Sequence, residues 1–330
     1  MTIPHSHEGA GIAAGMDTTF AVVVTSYNYR EFVVEAIDSA LAQTRAPVQV
    51  VVVDDGSSDG SADVLRARYD SDPRVTLICV ANGGQLAAFQ LGVARVDADV
   101  VCFLDADDRW NADYLECIGA HFDRDRELDF VFSDVRLFGA AQGSLAYAER
   151  AIDLGYTAIS TYLDPHWYGA PTSALALRTA CARRALDVPA DMLATWRLSA
   201  DNCLVYGASI LGARKLFVPT GGVHYRIHGN NGWYGRQTPR TKFLNRFRSR
   251  CLIEQYARRI GLTRACSEDI EHEYRSKPAP SWREARRYAR LALHGRVSHL
   301  RNIGRALSIL CSRLFAAWRK SDLPTALKQP

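Results

Sequence analysis

The hydrophobic positions of this chain fall into short, nearly unbroken runs separated by stretches of helical repeat. Phe20-Ala21-Val22-Val23-Val24, Val48-Gln49-Val50-Val51-Val52-Val53 and Val75-Thr76-Leu77-Ile78-Cys79 each read as a strand of a buried sheet. Each is followed by a polar turn: Thr25-Ser26-Tyr27-Asn28, Asp54 to Ser61, and Asn82-Gly83-Gly84-Gln85. Between the runs, Glu31 to Gln43, about Ala62 to Tyr69 and about Gln85 to Val96 read as helices. A fourth run, Val100-Val101-Cys102-Phe103-Leu104, leads straight into Asp105-Ala106-Asp107-Asp108. Alternating strands and helices predict a parallel, doubly wound α/β sheet, because parallel neighbours need crossover helices. Open sheets of this kind place their ligands at the carboxyl ends of the strands.

Further on the pattern changes. Val131 to Phe138 alternates and predicts one more strand, antiparallel to its neighbours. Gly143 to Tyr162 carries little pattern and reads mostly as loop, and His166 to Leu175 as a hydrophobic strand with a turn at Pro171. From about residue 241 to 320 the chain reads as helices. In the last of them Leu293, Val297, Leu300, Ile303, Leu307, Leu310, Leu314 and Trp318 recur every three or four positions, with a break expected at Gly295 or Gly304.

Charge divides the chain at the same place. Residues 1–239 hold 19 Lys and Arg against 29 Asp and Glu, a balance of −10, whereas residues 240–330 hold 21 against 7, a balance of +14. The basic helices suit packing on the rest of the chain, association with a second copy, or an anionic membrane surface. No nucleic-acid partner is expected, because no recognition motif accompanies the charge. No run approaches the roughly 18 apolar residues of a membrane span. The first basic residue is Arg30, so residues 1–18 lack the basic start of a signal peptide and read as a mobile tail. Eight scattered cysteines without a Cys-x-x-Cys pair suit reduced thiols. A cytoplasmic protein, peripheral at the inner face of a membrane if the basic helices bind one, is the expectation.

The candidate chemistry is carboxylate chemistry. Asp105 and Asp107 at a strand end can hold a hard divalent cation, Mn²⁺ or Mg²⁺, that completes its shell with substrate phosphates. The same residues also suit a turn with helix-capping aspartates. Asp201 begins a helical stretch, where an acid is usually a cap. His228 could serve a metal or a phosphate, or simply stabilise a loop.

Four segments then carry a resemblance. Val22-Val23-Val24-Thr25-Ser26-Tyr27-Asn28, Val51-Val52-Val53-Asp54-Asp55-Gly56-Ser57-Ser58-Asp59, Asn82-x-Gly84 with Ala88 and Gly92, and Leu104-Asp105-Ala106-Asp107-Asp108 resemble, in order and spacing, the signatures of glycosyltransferase family 2. The likeness covers about residues 19–235 and implies a GT-A-type nucleotide-binding domain with a mostly parallel central sheet. Its nucleotide-binding half would span 19–110 and its acceptor half 111–239, followed by the basic helical region 240–330.

The resemblance also implies roles. Thr25 and Tyr27 would line the nucleoside pocket, Asp55 would accept from a uracil-type imide, Gly84 would lie in the turn against the donor, and Asp105 would contact the ribose. Asp107 would bind the metal bridging the diphosphate, with His228 as metal or phosphate partner and Arg226 beside it. Asp201, preceded by Ala200 where many relatives carry Glu, would be the general base. Trp167, Tyr168, Thr172 and Ser173 would contact the acceptor, and Trp233-Tyr234 would close over the donor. Phe89-Gln90 stands where the family usually has an Arg-Asn pair.

The implied activity is metal-dependent, inverting transfer of a sugar from a nucleotide-diphosphate donor, UDP- or dTDP-linked, to a hydroxyl of a saccharide or lipid-linked acceptor. A nucleotidyltransferase would want a glycine-rich, basic phosphate loop after the first strand, which Thr25-Ser26-Tyr27-Asn28 is not. A non-catalytic sugar-nucleotide-binding scaffold is the other alternative, and Asp105, Asp107 and Asp201 together argue against it.

Overall fold

The structure, a computed structural model, describes residues 17–229, 231–232, 234–235, 237–295 and 298–321, the last seven by their backbone alone. Most of the N-terminal tail, Trp233, and the side chain of Trp318 therefore lie outside the described residues. Of the tail's end, Thr18 is held: its N–H donates to Asp123 at 2.9 Å.

The first half follows the hydrophobic runs. Strands β1 (Phe20–Ser26), β2 (Gln49–Asp54), β3 (Val75–Cys79) and β4 (Val100–Asp105) alternate with helices α1 (Val33–Leu41), α2 (Ser61–Tyr69) and α3 (Gln85–Ala94). All seven residues of β1 are buried, as expected of a strand covered on both faces. The four strands pair in parallel in the order β3-β2-β1-β4, so the ends of β1, β2 and β4 meet in one row, with Thr25 opposite both Val53 and Asp105.

Helix α3 lies against β1 through Gly92. A Cβ at that position would stand 2.5 Å from Cγ1 of Val23, a stiff β-branched side chain inside the sheet. Gly92→Ala gains about 1 kcal/mol in helix propensity but costs about 1–3 kcal/mol in overpacking. With Val23 unable to give way inside the sheet, a net loss of up to about 2 kcal/mol is expected in urea unfolding.

After β4 come β5 (Arg109–Trp110), α4 (Tyr114–Arg124), β6 (Phe130–Ser133), β7 (Val135–Gly139), β8 (Gly143–Leu145), β9 (Ile152–Gly155) and α5 (Ala158–Leu163). These lead to β10 (Leu175–Arg178), α6 (Thr179–Leu186), α7 (Asp191–Thr195), α8 (Asp201–Ile210), β11 (Lys215–Val218) and β12 (Val223–Ile227). The main sheet has eight strands, β3-β2-β1-β4-β10-β6-β11-β9, and is mixed beyond β4 because β10 runs antiparallel to both its neighbours. A second sheet, β5-β12-β7-β8, stands beside it.

Three expectations are corrected here. The alternating stretch 131–138 is two strands in two sheets: the chain bends at Asp134, whose carboxylate accepts from the Gly221 N–H at 2.9 Å. Residues 143–162 hold β8, β9 and much of α5 rather than loop. Helix α5 has only six residues, and its first N–H groups, on Ile159 and Ser160, donate to Glu273 at 2.5 and 2.9 Å. That cap comes from more than a hundred residues away, so no local pattern announces the helix. Finally, the strand expected over 166–175 begins only at Leu175, after a 3₁₀ turn at Thr172–Ala174.

The C-terminal region is helical as expected: α9 (Pro239–Arg259), α10 (Ile270–Arg275), α11 (Trp282–Leu293) and α12 (His299–Ser321). Helix α9 adds Leu252, Ile253, Tyr256 and Ala257 to the main core, while α10 to α12 build a small core of their own around Tyr274, Tyr288 and Ile309. The break falls near Gly295, and α12 runs through Gly304. No described helix is long and apolar enough to cross a membrane.

Candidate active site

The carboxyl ends of β1, β2 and β4 floor an open cavity of about 1340 Å³, walled by the 82–85 turn, the start of α8, the 167–172 loop, His228 and Asn245 of α9. A single small-ligand pocket holds roughly 300–1,000 Å³. The larger volume leaves room for two ligands side by side.

Each acid is placed by its local backbone. At the end of β2 successive side chains point opposite ways. Asp54 turns inward and accepts from the Ser57 N–H at 2.9 Å, ordering the loop, whereas Asp55 lines the cavity. The Asp55 carboxylate accepts from the N–H groups of Gly83 and Gly84 at 2.6 and 2.8 Å. Each of its oxygens keeps a second lone pair for a ligand donor. Gly84 is required at its site: its φ is +91°, and a Cβ there would stand 2.7 Å from Cα of Arg197.

The acidic turn after β4 is built with more support. Asp105 accepts from the Gln85 side chain at 3.1 Å, and its own N–H donates to Ser173 at 3.0 Å. Burial pushes the Asp105 carboxyl up to about 8, with repulsion from Asp107 and then Asp201 adding to it. Asp108 turns away from the cavity and accepts from the Ser173 hydroxyl at 2.5 Å and the Arg226 N–H at 2.8 Å. Burial also raises its pKa well above the usual carboxylate range. Asp107 stays on the cavity wall, where its carboxylate meets His228 Nε2 at 2.9 Å.

Across the cavity, Asp201 opens α8. Its carboxyl accepts from the Asn202 N–H at 3.0 Å, yet burial dominates and pushes it up to about 7. Ser199, just before it, has a φ of +58°, and the Asn202 side chain pins that turn by donating to the Ser199 carbonyl at 2.8 Å. Gln85 joins the two sides: its amide donates to Asp105, and its oxygen accepts from the Ala200 N–H at 2.9 Å.

Of the residues singled out from sequence, Thr25, Tyr27, Asp55, Gly84, Asp105, Asp107, Trp167, Thr172, Asp201 and His228 line this one cavity. Four of the described ones do not line it, among them Tyr234, which is 40% exposed. Tyr168 is fully buried, its ring against His166 at 4.5 Å and its hydroxyl on Ser160 at 3.3 Å, so it is a core residue. Ser173 is also fully buried and serves to position Asp105 and Asp108. Arg226 takes the face of β12 opposite to Tyr225. Its guanidinium lies over Phe32 and Phe138 at 4.7 and 4.3 Å, pairs with Glu35, and donates to the Asp107 carbonyl at 2.8 Å. It braces the acidic turn instead of facing a diphosphate.

Other residues went unrecognised. Arg30 and Arg197 bring cations to the cavity, and Tyr29, Gln85, Tyr206, Tyr225 and Asn245 complete its wall. Phe89 and Gln90 point elsewhere: Phe89 packs on Phe103 at 4.9 Å, and Gln90 donates to the Leu186 carbonyl at 2.8 Å. Only Gln85, inside the turn already recognised, carried a local signal.

Among the described residues no cluster of three or more His, Cys, Asp or Glu side chains forms a ready-made metal cage. Asp107 and His228 offer two donor atoms 2.9 Å apart, close to the roughly 3 Å between adjacent ligands of an octahedral ion with bonds of about 2.1 Å. Hydrogen-bonded to each other as they stand, the two could fill two positions of such a shell and no more.

Residues 21–181 match the family model described as glycosyl transferase family 2. The chain carries a glycosyltransferase family 2 domain. It is 34% identical over 218 residues to an uncharacterized glycosyltransferase of Nostoc sp., covering 64% of this chain and 65% of that protein. It is 29% identical over 116 residues to the chondroitin synthase of Pasteurella multocida, covering 35% of this chain and 12% of that one. The fold resembles that of S. aureus TarS 1-349 solved in complex with UDP-GlcNAc, with a TM-score of 0.52 and 15% identity over 90% of this chain and 73% of that one. The architecture is that of a GT-A-type α/β domain followed by a helical region. In this family 2 domain the matched segment supplies Asp55, Asp105 and Asp107, while Asp201, His228 and Asn245 come from chain beyond it.

Proposed function

We propose that the chain is an inverting glycosyltransferase that moves a sugar from a nucleotide-diphosphate donor to a hydroxyl of a saccharide or lipid-linked acceptor. The observation that carries this reading is the opening of Asp55, Asp105, Asp107 and Asp201, from separate segments of the chain, onto one cavity. That TarS was solved in complex with UDP-GlcNAc supports a UDP-linked donor, and the likeness to a chondroitin synthase supports a saccharide acceptor.

In this reading Asp55 accepts from the base, and Asp105, steadied by Gln85, accepts from the ribose. Asp201 takes the proton of the acceptor hydroxyl as that oxygen attacks the anomeric carbon from the face opposite the nucleotide. The bond from that carbon to the diphosphate breaks, and the nucleoside diphosphate leaves with the electron pair. Asp107 and His228 would hold a Mn²⁺ or Mg²⁺ ion, which when bound supplies positive charge to the leaving diphosphate. Arg197, beside Asn82 on the cavity wall, adds a fixed cation.

The test is release of nucleoside diphosphate from a panel of UDP-, dTDP- and GDP-sugars with Mn²⁺ present. Turnover of at least one uracil- or thymine-linked donor is expected. A panel that gives no release at all, with binding of none of the donors, would refute the reading.

A further inference from the structure

The part of the chain least explained by the cavity is the outer face of α9. Phe243 and Phe247 are 66% and 57% exposed, and their rings stack with centroids 6.3 Å apart and an angle of 18° between planes. Two phenyl rings left in water are unfavourable unless something covers them. They lie one turn apart, on the side of the helix away from Leu252, Ile253 and Tyr256, which are buried in the main core. The helix start is fixed by a reciprocal cap between Thr238 and Thr241, with Pro239 in the first turn, so the pair is held out by an ordered element.

The charge around the pair is one-sided. Arg240, Lys242, Arg246 and Arg248 are all exposed, and Arg240 and Arg246 lie three positions from Phe243, where side chains neighbour it on a helix surface. No Asp or Glu occurs between Asp201 and Glu254. A second copy of the same patch would bring these cations together. An anionic lipid surface instead offers phosphates to the guanidinium groups and a headgroup boundary to the rings. Asn245, two positions from each phenylalanine and so on the opposite face of the helix, lines the cavity, so α9 stands between the patch and the site.

We propose that the first turns of α9 dock the protein on an anionic phospholipid surface, with Phe243 and Phe247 as the inserted anchors and the flanking Arg and Lys residues as phosphate contacts. Docked this way, the cavity stands on the far side of α9, about one helix diameter from the bilayer surface, within reach of the saccharide end of a lipid-linked acceptor. That last clause rests on the function proposed above; the docking itself does not.

The test is co-sedimentation of the whole chain with vesicles of phosphatidylcholine alone or with added phosphatidylglycerol, at low and high salt, alongside donor hydrolysis. Binding is expected only to the phosphatidylglycerol vesicles, weakening as salt rises. Phe243→Ser/Phe247→Ser is expected to lower partitioning about tenfold, and Arg240→Glu/Arg246→Glu by a similar factor, with donor hydrolysis unchanged in both. Leu300→Ser/Leu307→Ser, on the exposed stripe of α12, is expected to bind like the parent. Three results would each overturn the proposal: no binding at low salt, parent-like binding by both α9 variants, or loss of binding confined to the α12 variant. Self-association abolished by the α9 phenylalanine variant, without vesicle binding, would also overturn it and assign the patch to a second copy. Donor hydrolysis failing while vesicle binding persists would count against the glycosyltransferase reading alone.

Discussion

Asp201→Asn is expected to abolish sugar transfer while leaving donor affinity nearly unchanged. A positioned general base contributes about a hundred- to ten-thousand-fold, so transfer should fall by that factor. The donor contacts proposed for Asp55, Asp105 and Asp107 lie on other segments and survive. The replacement also preserves shape: an asparagine oxygen can still accept from the Asn202 N–H that Asp201 binds at 3.0 Å. A side chain important only as a helix cap would therefore tolerate the change, and a base would not.

The pH dependence separates the two roles further. Burial pushes the Asp201 carboxyl up to about 7, and only the ionised form can accept a proton. Parent transfer should rise with pH to about 7 and level off, while residual activity of the asparagine variant should not follow that rise. Stability moves the other way. A carboxyl whose folded pKa is raised binds more protons folded than unfolded, so its ionisation weakens the fold as pH climbs between the unfolded value and about 7. Above that window Asp201→Asn should melt no lower than the parent. Donor titration calorimetry and a pH series of transfer rates check both points, and weakened donor binding with transfer preserved would dismiss Asp201 as the base.

What the chain discloses in advance depends on how local the cause is. The runs at 20–24, 48–53 and 100–104 form β1, β2 and β4 because burial on both faces leaves a signal in consecutive residues, and 75–79 forms the half-buried edge strand β3 from its β-branched and apolar residues. The turns after them could be placed for the same reason, and with them Asp55, Asp105 and Asp107. Face assignment on a short strand was not legible. His224, Tyr225 and Arg226 are all polar or aromatic, so nothing in β12 says that Tyr225 takes the cavity and Arg226 the opposite side against Phe32 and Phe138. The same limit hid the roles of Tyr168 and Ser173, adjacent to the cavity residues Trp167 and Thr172. Long-range partners were hidden altogether. Glu273 reaches back to cap α5, and Tyr256 of α9 donates to the Cys203 carbonyl in α8 at 3.2 Å. The helices read as a basic appendage thus help to set the helix that carries Asp201.

Asp107→Ala is expected to remove turnover and metal stimulation together. If the cation supplies several kcal/mol to the departing diphosphate, the loss is about a hundred- to a thousandfold. The acidic turn should keep its shape, because Arg226 holds it through the Asp107 carbonyl and the Asp108 carboxylate, which the substitution leaves in place. What disappears is one negative charge and one of the partners of His228. Repulsion from Asp107 is the second cause, after burial, of the raised Asp105 pKa, so Asp105 should ionise at lower pH in the variant. His228→Ala should cost less by itself. Added to Asp107→Ala it should cost almost nothing more, since residues that act as one unit are not additive. Rates with and without EDTA, in the two single variants and the double, check these expectations. An Asp107→Ala protein that keeps full turnover in EDTA would eliminate the metal site, and fully additive losses would mean that Asp107 and His228 do not share one ion.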